Sequence, residues 1–582
     1  MALTRRQFLC NSAMVVAAVA VRPIAALAAK THASSSPLPA PALTYPDTFS
    51  QLGRISFGPT LTECAALMQQ GLATYLEAQL HPVEAADLLC NARLAAATLH
   101  IEYKANQKTA DAKPDPKNPA ATADAPAVLS YPAMSETRPL SMLGKPVEAL
   151  WPLTDNGVFM DGRERRRPAD EVRAATWIRA VYSKWQLREL MVEFWHNHFN
   201  VNAFGANEIA ATFPLYDAIM RRNCFGNFRA FLEEVATSVA MLTFLNNAKS
   251  KASPANENYA REMFELHTLG ADHYYNALYN RWREVPGATQ GKPIGYIDQD
   301  VYEAARAFTG WTIEDGSNTG RGITLPKTGK FTYFDGWHDN YQKRVLGTEF
   351  DPNAPPMADG RKVLDLVANH PGTAAFLCGK LCRRFLGDQA PPALVERAAA
   401  TWKKAARAPD QIAQVLRTII LSPEFAARRE VKLKRPFDFV VSYLRATGAD
   451  VTPNDQLFNT LSGTGYRMYE WPTPTGHPDD AAYWLNTNST LSNWNFLPPL
   501  MSTNFAAAQF DLLAQTPDQV RTPEDMVAYW YQRLTGQNPD AATLSGLVPF
   551  LPSPLVRNPA LQKPLQEMVM TITMLPAFAV KG

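Results

Sequence analysis

Apolar side chains recur at spacings of three and four residues in Leu67 to Leu80, Leu187 to Phe199, Phe228 to Leu245, Val301 to Phe308, Phe376 to Phe385 and Phe437 to Leu444. That is the period of one buried face of an α-helix, whereas a half-buried strand alternates every second residue. Apolar helix faces spread over most of the chain must be covered by one another. The pattern predicts a mainly α, large multi-helix globular fold with long irregular loops and at most a short hairpin.

The N-terminus stands apart from this pattern. Thr4, Arg5, Arg6, Gln7, Phe8 and Leu9 precede a mildly apolar run containing Met14, Val15, Val16 and Val19, which reads as a twin-arginine export signal. Asn11, Ser12 and Arg22 interrupt the run, and it is too short to serve well as a membrane span. Ala26, Leu27 and Ala28 supply a small-residue cleavage site. The expectation is a signal peptide over 1–28, a flexible linker over 29–46, and a periplasmic or secreted mature chain with no transmembrane anchor.

The remainder of the 582 residues is long enough for a large core and for more than one domain. Residues 104–127 are rich in Ala, Asp, Lys and Pro and nearly devoid of large apolar side chains, which marks a mobile insertion in an N-terminal helical region over 47–150. A central helical region is expected over 151–310, an irregular lid or hairpin region over 311–359, and a C-terminal helical region over 360–582. A net charge of +2, with no Lys/Arg run longer than the three arginines at 165–167, argues against nucleic acid as a partner. Of six cysteines, Cys10 lies in the leader and five remain, so at least one thiol stays unpaired within the chain. Cys378 and Cys382, four apart on a predicted helix, read as small buried apolar residues.

Polar residues cluster on two of the predicted helices. At about 100° per residue, His198 falls on the apolar face of the Leu187 to Phe199 helix and His196 roughly opposite. The two could share a metal only if the helix ended near Trp195; otherwise they are hydrogen-bonded core or boundary histidines. A second helix begins after Pro254, with Tyr259, Met263, Leu266 and Leu269 as its stripe and Gly270 as its stop. Asn258, Glu262 and Glu265 share its other arc, with Arg261 spaced to pair with Glu265. That arc is either a solvated face or an inward one that places Glu257, Glu262 or Glu265 beside the histidines, where buried carboxylates need a metal or a cation.

The strings Phe194 to Phe199 (Phe-Trp-His-Asn-His-Phe), Asn256 to Glu262 with Glu265 and Thr268 to Gly270, and Ala304 to Trp311 together resemble the bacterial domain-of-unknown-function 1800 family. His338, Asp339 and Lys343, His370 and Pro371 with Lys380, and Lys434, Arg435 and Pro436 resemble its later segments, as Phe57 to Thr60 resembles its opening. The resemblance spans nearly the whole mature chain. It implies that these polar strings form a shared site. It also implies export, and an exported phosphatase- or sulfatase-like protein as a candidate partner, since genes of the two families often adjoin. His267, where an aromatic such as Phe is expected, and about twenty extra residues from Asp272 to Gly291 depart from the pattern.

Two function classes follow. The first is a metal-assisted hydrolase in which His196, His198, Glu262 and His338 hold a divalent metal, zinc or iron, and Glu257 or Glu265 is the general base. Redox use of the same ligands is the lesser variant. The second is a non-catalytic helical scaffold, or a glycan- or protein-binding protein of the cell envelope, whose polar strings form a buried hydrogen-bond network. Aromatic residues Trp471, Tyr483, Trp484, Trp494 and Phe496, interleaved with asparagines, could stack on sugar rings or simply pack. A carbohydrate-active enzyme would need paired carboxylates flanking a cleft. No Gly-x-Ser-x-Gly elbow, phosphate loop or His-Glu-x-x-His string is present.

Overall fold

The computed structural model describes residues 46–109, 128–320, 322–427, 432–501 and 507–581. Every periodic stretch is helical, and the fold is mainly α as predicted. Seven helices matter for the site: α1 (Gly162–Tyr182), α2 (Gln186–His198), α3 (Asn207–Asn223), α4 (Asn258–Glu262), α5 (Asp298–Ala307), α6 (Pro371–Leu386) and α7 (Pro436–Thr447). Local chemistry sets their ends. His370 caps α6 by accepting the Gly372 N–H at Nδ1, 3.0 Å away, with Pro371 in the first turn; proline suits that position because its missing N–H would be unpaired there anyway. Pro436 starts α7 in the same way.

Two large apolar cores are built among the described residues, beside a small cluster of Val285, Ala288 and Ile297. One gathers residues between Leu52 and Phe425, and the other joins α7 and the C-terminal helices to Phe57, Leu99 and part of α1. Helices α1 and α2 serve both: Val172, Leu187 and Met191 pack in the first, while Ala174, Trp177 and Leu190 pack in the second. Polar residues on this pair therefore sit between two packed masses. Trp311, Trp484 and Phe496 are buried, whereas Tyr483 is exposed. Cys64, Cys90, Cys224, Cys378 and Cys382 are all buried free thiols. Among the described residues no helix is long and apolar enough to cross a membrane.

The β content exceeds the single hairpin expected. Six antiparallel two-strand ladders occur among the described residues. Thr98–Tyr103 pairs with Met134–Pro139, and Asn106–Thr109 with Val128–Tyr131, so both flanks of the predicted mobile insertion are strands. Only Leu99 and Ile101 alternate inward on the first of them, too few for a period of two to be read. The 311–359 region carries Trp311–Asp315 against Lys327–Tyr333 and Lys343–Val345 against Thr348–Phe350. The leader at 1–28, the linker as far as residue 45, and 110–127 of the insertion lie outside the described residues.

Candidate functional site

Helix α2 runs unbroken through His198, so the terminus that would let the histidines converge is not at Trp195. His196 donates from Nε2 to Asp217 on α3, 3.0 Å away. Arg179 and Arg221 flank that carboxylate at 3.4 and 3.5 Å. Burial would raise the Asp217 pKa, but Arg221, His196 and Arg179 together hold it well below the carboxylate range. His198 leaves the other side of the helix: Nε2 donates to the His267 carbonyl at 3.1 Å, and Nδ1 accepts from Lys380 Nζ at 3.0 Å. Burial, with Lys380 next, holds its pKa well below the ordinary value, and these partners define a neutral Nε2–H tautomer.

The other predicted residues occupy separate places. His338 sits with Nδ1 2.8 Å from the Thr309 carbonyl and Nε2 3.3 Å from Asp359, whose carboxylate also takes Lys343 at 2.7 Å. Asp339 next to it pairs with Arg306 of α5 at 2.7 Å. This cluster joins the Ala304 to Trp311 string to the His338 segment as a structural clamp. Gly310 turns between them at φ 81°, where a side chain would meet the Phe334 carbonyl. Glu257 pairs with Arg261 at 3.0 Å; the expected Arg261 pair with Glu265 does not form, and Asp298 lies 3.6 Å from the guanidinium instead. Met263–His267 forms a π-helix, which shifts Glu265 out of the i,i+4 register. Glu262 and Glu265 are half-buried without an ion pair among the described residues, and burial followed by Glu265 raises the Glu262 pKa. The string reaches α2 through the His267 carbonyl, not through its carboxylates. Among the described residues no group of three or more His, Cys, Asp or Glu side chains is arranged to hold a metal ion, so His196, His198, Glu262 and His338 are not brought together as a ligand set.

A pocket opens where α2, α6 and the irregular loop over residues 471–479 meet. Glu193, Asn197, His198, Lys380, Arg383, Arg384, Arg435 and Asp479 supply its polar lining. Asn197 fixes the loop by donating to the His477 carbonyl at 2.8 Å and accepting the His477 N–H at 2.6 Å. Asn200 donates to the carbonyls of Trp471 at 3.1 Å and Thr473 at 2.7 Å. Gly476, at φ 70°, lies so close that a Cβ there would overlap the Asn197 carbonyl oxygen. Gly476→Ala is therefore expected to cost ~1–3 kcal/mol through strain and overlap, and Asn197→Ala about as much through two lost hydrogen bonds. Urea unfolding midpoints check both, and unchanged midpoints would remove the loop clamp from this account.

Below the pocket lies a buried ion network. Arg435 donates to Glu193 at 2.7 Å and to Asp438 at 3.1 Å; Tyr466 donates to Glu193 at 3.0 Å; Arg384 and Lys581 reach Asp438 at 3.4 and 2.6 Å. Lys432 holds Asp479 at 2.8 Å and Asp388 at 3.0 Å. Burial lowers the pKa of Lys380 to about 8, with Arg383 adding to the shift and Asp479 opposing it. Burial also lowers Lys434 and Lys581 to about 7. The sequence does not show this pocket: Glu193 stands as one charged residue within the Leu187 to Phe199 helix, and Lys380 only as part of a resembling string.

These contacts are made between strings from distant parts of one chain, and the family model described as "Protein of unknown function (DUF1800)" matches residues 50–580. The chain belongs to this family. No curated protein and no solved structure matches it. Within this family member, the Phe194 to Phe199 string and the Lys434 to Pro436 turn are thus parts of one assembly around the pocket.

Proposed function

We propose that this protein is an exported, helical ligand-binding protein of the cell envelope, with its binding site in the pocket between α2, α6 and the 471–479 loop. The observation that carries this reading is the convergence of His198, Lys380, Arg383 and Asn197 on one opening. The hydrogen bonds of the histidines favour it over the metal-assisted hydrolase. His196 Nε2 serves a carboxylate already held by arginines, and both nitrogens of His198 are engaged by a carbonyl and an amine. A helix that spends its polar groups in this way is a structural support, and Asn197 and Asn200 extend the support to the pocket rim.

Elemental analysis of protein purified after native export tests the choice. The binding reading expects no stoichiometric zinc or iron that depends on the two histidines. About one metal per chain in the parent, lost in a folded His196→Ala/His198→Ala variant, would overturn it and restore the hydrolase.

A further inference from the structure

The charges around the pocket are not evenly spent. Lys380, Arg383, Arg384 and Arg435 line it against only two carboxylates, Glu193 and Asp479. Both carboxylates are already neutralised, Glu193 by Arg435 with a hydrogen bond from Tyr466, and Asp479 by Lys432. Arg384 is occupied in turn by Asp438 at 3.4 Å, with Glu193 3.6 Å away. Two cations are left over. Lys380 donates to the neutral imidazole of His198, and Arg383 is exposed and has no ion pair among the described residues. The two stand three residues apart on α6, which places them on one helix face.

A half-buried ammonium beside a neutral base, with a free guanidinium above it, lacks a counter-charge. The cavity volume of about 50 Å³ is several times the ~10–15 Å³ that a single water needs. It has room for a small ion. Cationic ligands would meet a net repulsion, and neutral ones would leave the excess charge in place. A planar carboxylate can take the bidentate fork of Arg383, but its single charge leaves one of the two cations uncompensated. What the site offers is an ammonium from Lys380, a guanidinium fork from Arg383 and a two-charge excess, which a doubly charged oxyanion takes up in full.

We infer that the pocket binds a small, doubly charged tetrahedral oxyanion, phosphate or sulfate or the terminal group of a phosphomonoester, between Lys380 and Arg383. The inference rests on the reading of this opening as a ligand site and names the ligand class. Lys380 contacts the anion from the floor and Arg383 closes it from the mouth.

Titration calorimetry on the full mature chain tests this, with inorganic phosphate, sulfate, methyl phosphate and acetate added in turn at constant ionic strength in chloride. Saturable one-site binding of phosphate or sulfate is expected, with acetate roughly tenfold weaker or worse. Arg383→Gln, a substitution at an exposed position, should weaken it by about tenfold or more, and Lys380→Met further. Methyl phosphate binding as tightly as the free ion would identify an ester as the natural source; much weaker binding would identify the free ion. Acetylation of Lys380, read by mass spectrometry against exposed Lys327 and Lys330, separates the two levels of the argument. Lys380 modified in the native protein and protected by phosphate supports the inference. Lys380 modified without protection, and no oxyanion heat, overturns the oxyanion while the pocket stands. Lys380 unmodified while the exposed lysines react means a closed site, and both readings fall.

Discussion

Asp438→Asn is expected to destabilise the protein by about 3–5 kcal/mol, the usual consequence of removing one partner from a buried ion network. Asp438 is 1% exposed and faces Lys581, Arg384 and Arg435. Its own burial would raise its pKa, but Lys581, Arg384 and Arg435 outweigh that and hold it well below the carboxylate range. Asparagine keeps the shape and one acceptor but leaves three buried cations with only Glu193 to share. The urea midpoint should fall with little change in slope, and Arg435 and Glu193 should lose their fixed geometry with it. A variant as stable as the parent would mean that water, not Asp438, compensates these cations.

Acidification should remove a comparable amount of stability well before the carboxylates protonate. Burial, with Lys380 assisting, holds His267 at about 3, and burial with Arg435 holds His477 at about 3; an unfolded histidine titrates near ~6.5. His198 is held well below its ordinary value as well. Between pH 6.5 and 3 the unfolded chain therefore carries protons on these rings that the native chain does not. Stability is fully present above the unfolded value and falls with pH, by roughly 1.4 kcal/mol per pH unit for each histidine. Asp300, pushed up to about 6 by burial, binds its proton early in the native state and offsets about one histidine in the upper part of the window. Asp217 and Asp438, held low, add their own loss only below about pH 4. Lys434 and Lys581, lowered to about 7 by burial, carry their own pH dependence above that window, so the histidines are read between pH 6.5 and 4.5, where urea midpoints should decline steadily and His267→Phe should flatten the slope by about one proton. A midpoint independent of pH across that range would show that these rings titrate normally.

The outcome at α2 shows where a sequence stops informing. The phase of Leu187, Leu190, Met191 and Phe194 put His196 and His198 on different sides of a helix, and the structure keeps them there, on Asp217 and on the His267 carbonyl. The phase could not say that α2 continues past Trp195, because Asn200, Asn202 and Gly205 are stop signals wherever they stand. Their place is taken by a cap at Phe199, and Asn200 turns out to hold Trp471 and Thr473. The Arg261 to Glu265 pair failed for a similar reason. The pairing depends on ideal α spacing, and a π-turn at Met263–His267 changes that register.

Helix periodicity and the burial of Cys378 and Cys382 follow from residue order, since they depend on local spacing and on hydrophobic partition; a shared site for the polar strings is what the resemblance alone implied, and the structure divides them between the pocket, the His338–Asp359 cluster and the Glu257–Arg261 pair. Which string meets which was decided only by the tertiary structure. Glu193 and Arg435 are 242 residues apart, and His198 and Lys380 are 182 apart. No local rule couples residues at such distances. Lys380 in the sequence is an ordinary lysine on a helix; its desolvation, with Glu193 paired to Arg435 and Asp479 to Lys432, leaves it without an ion pair among the described residues, and both are properties of packing rather than of residue order.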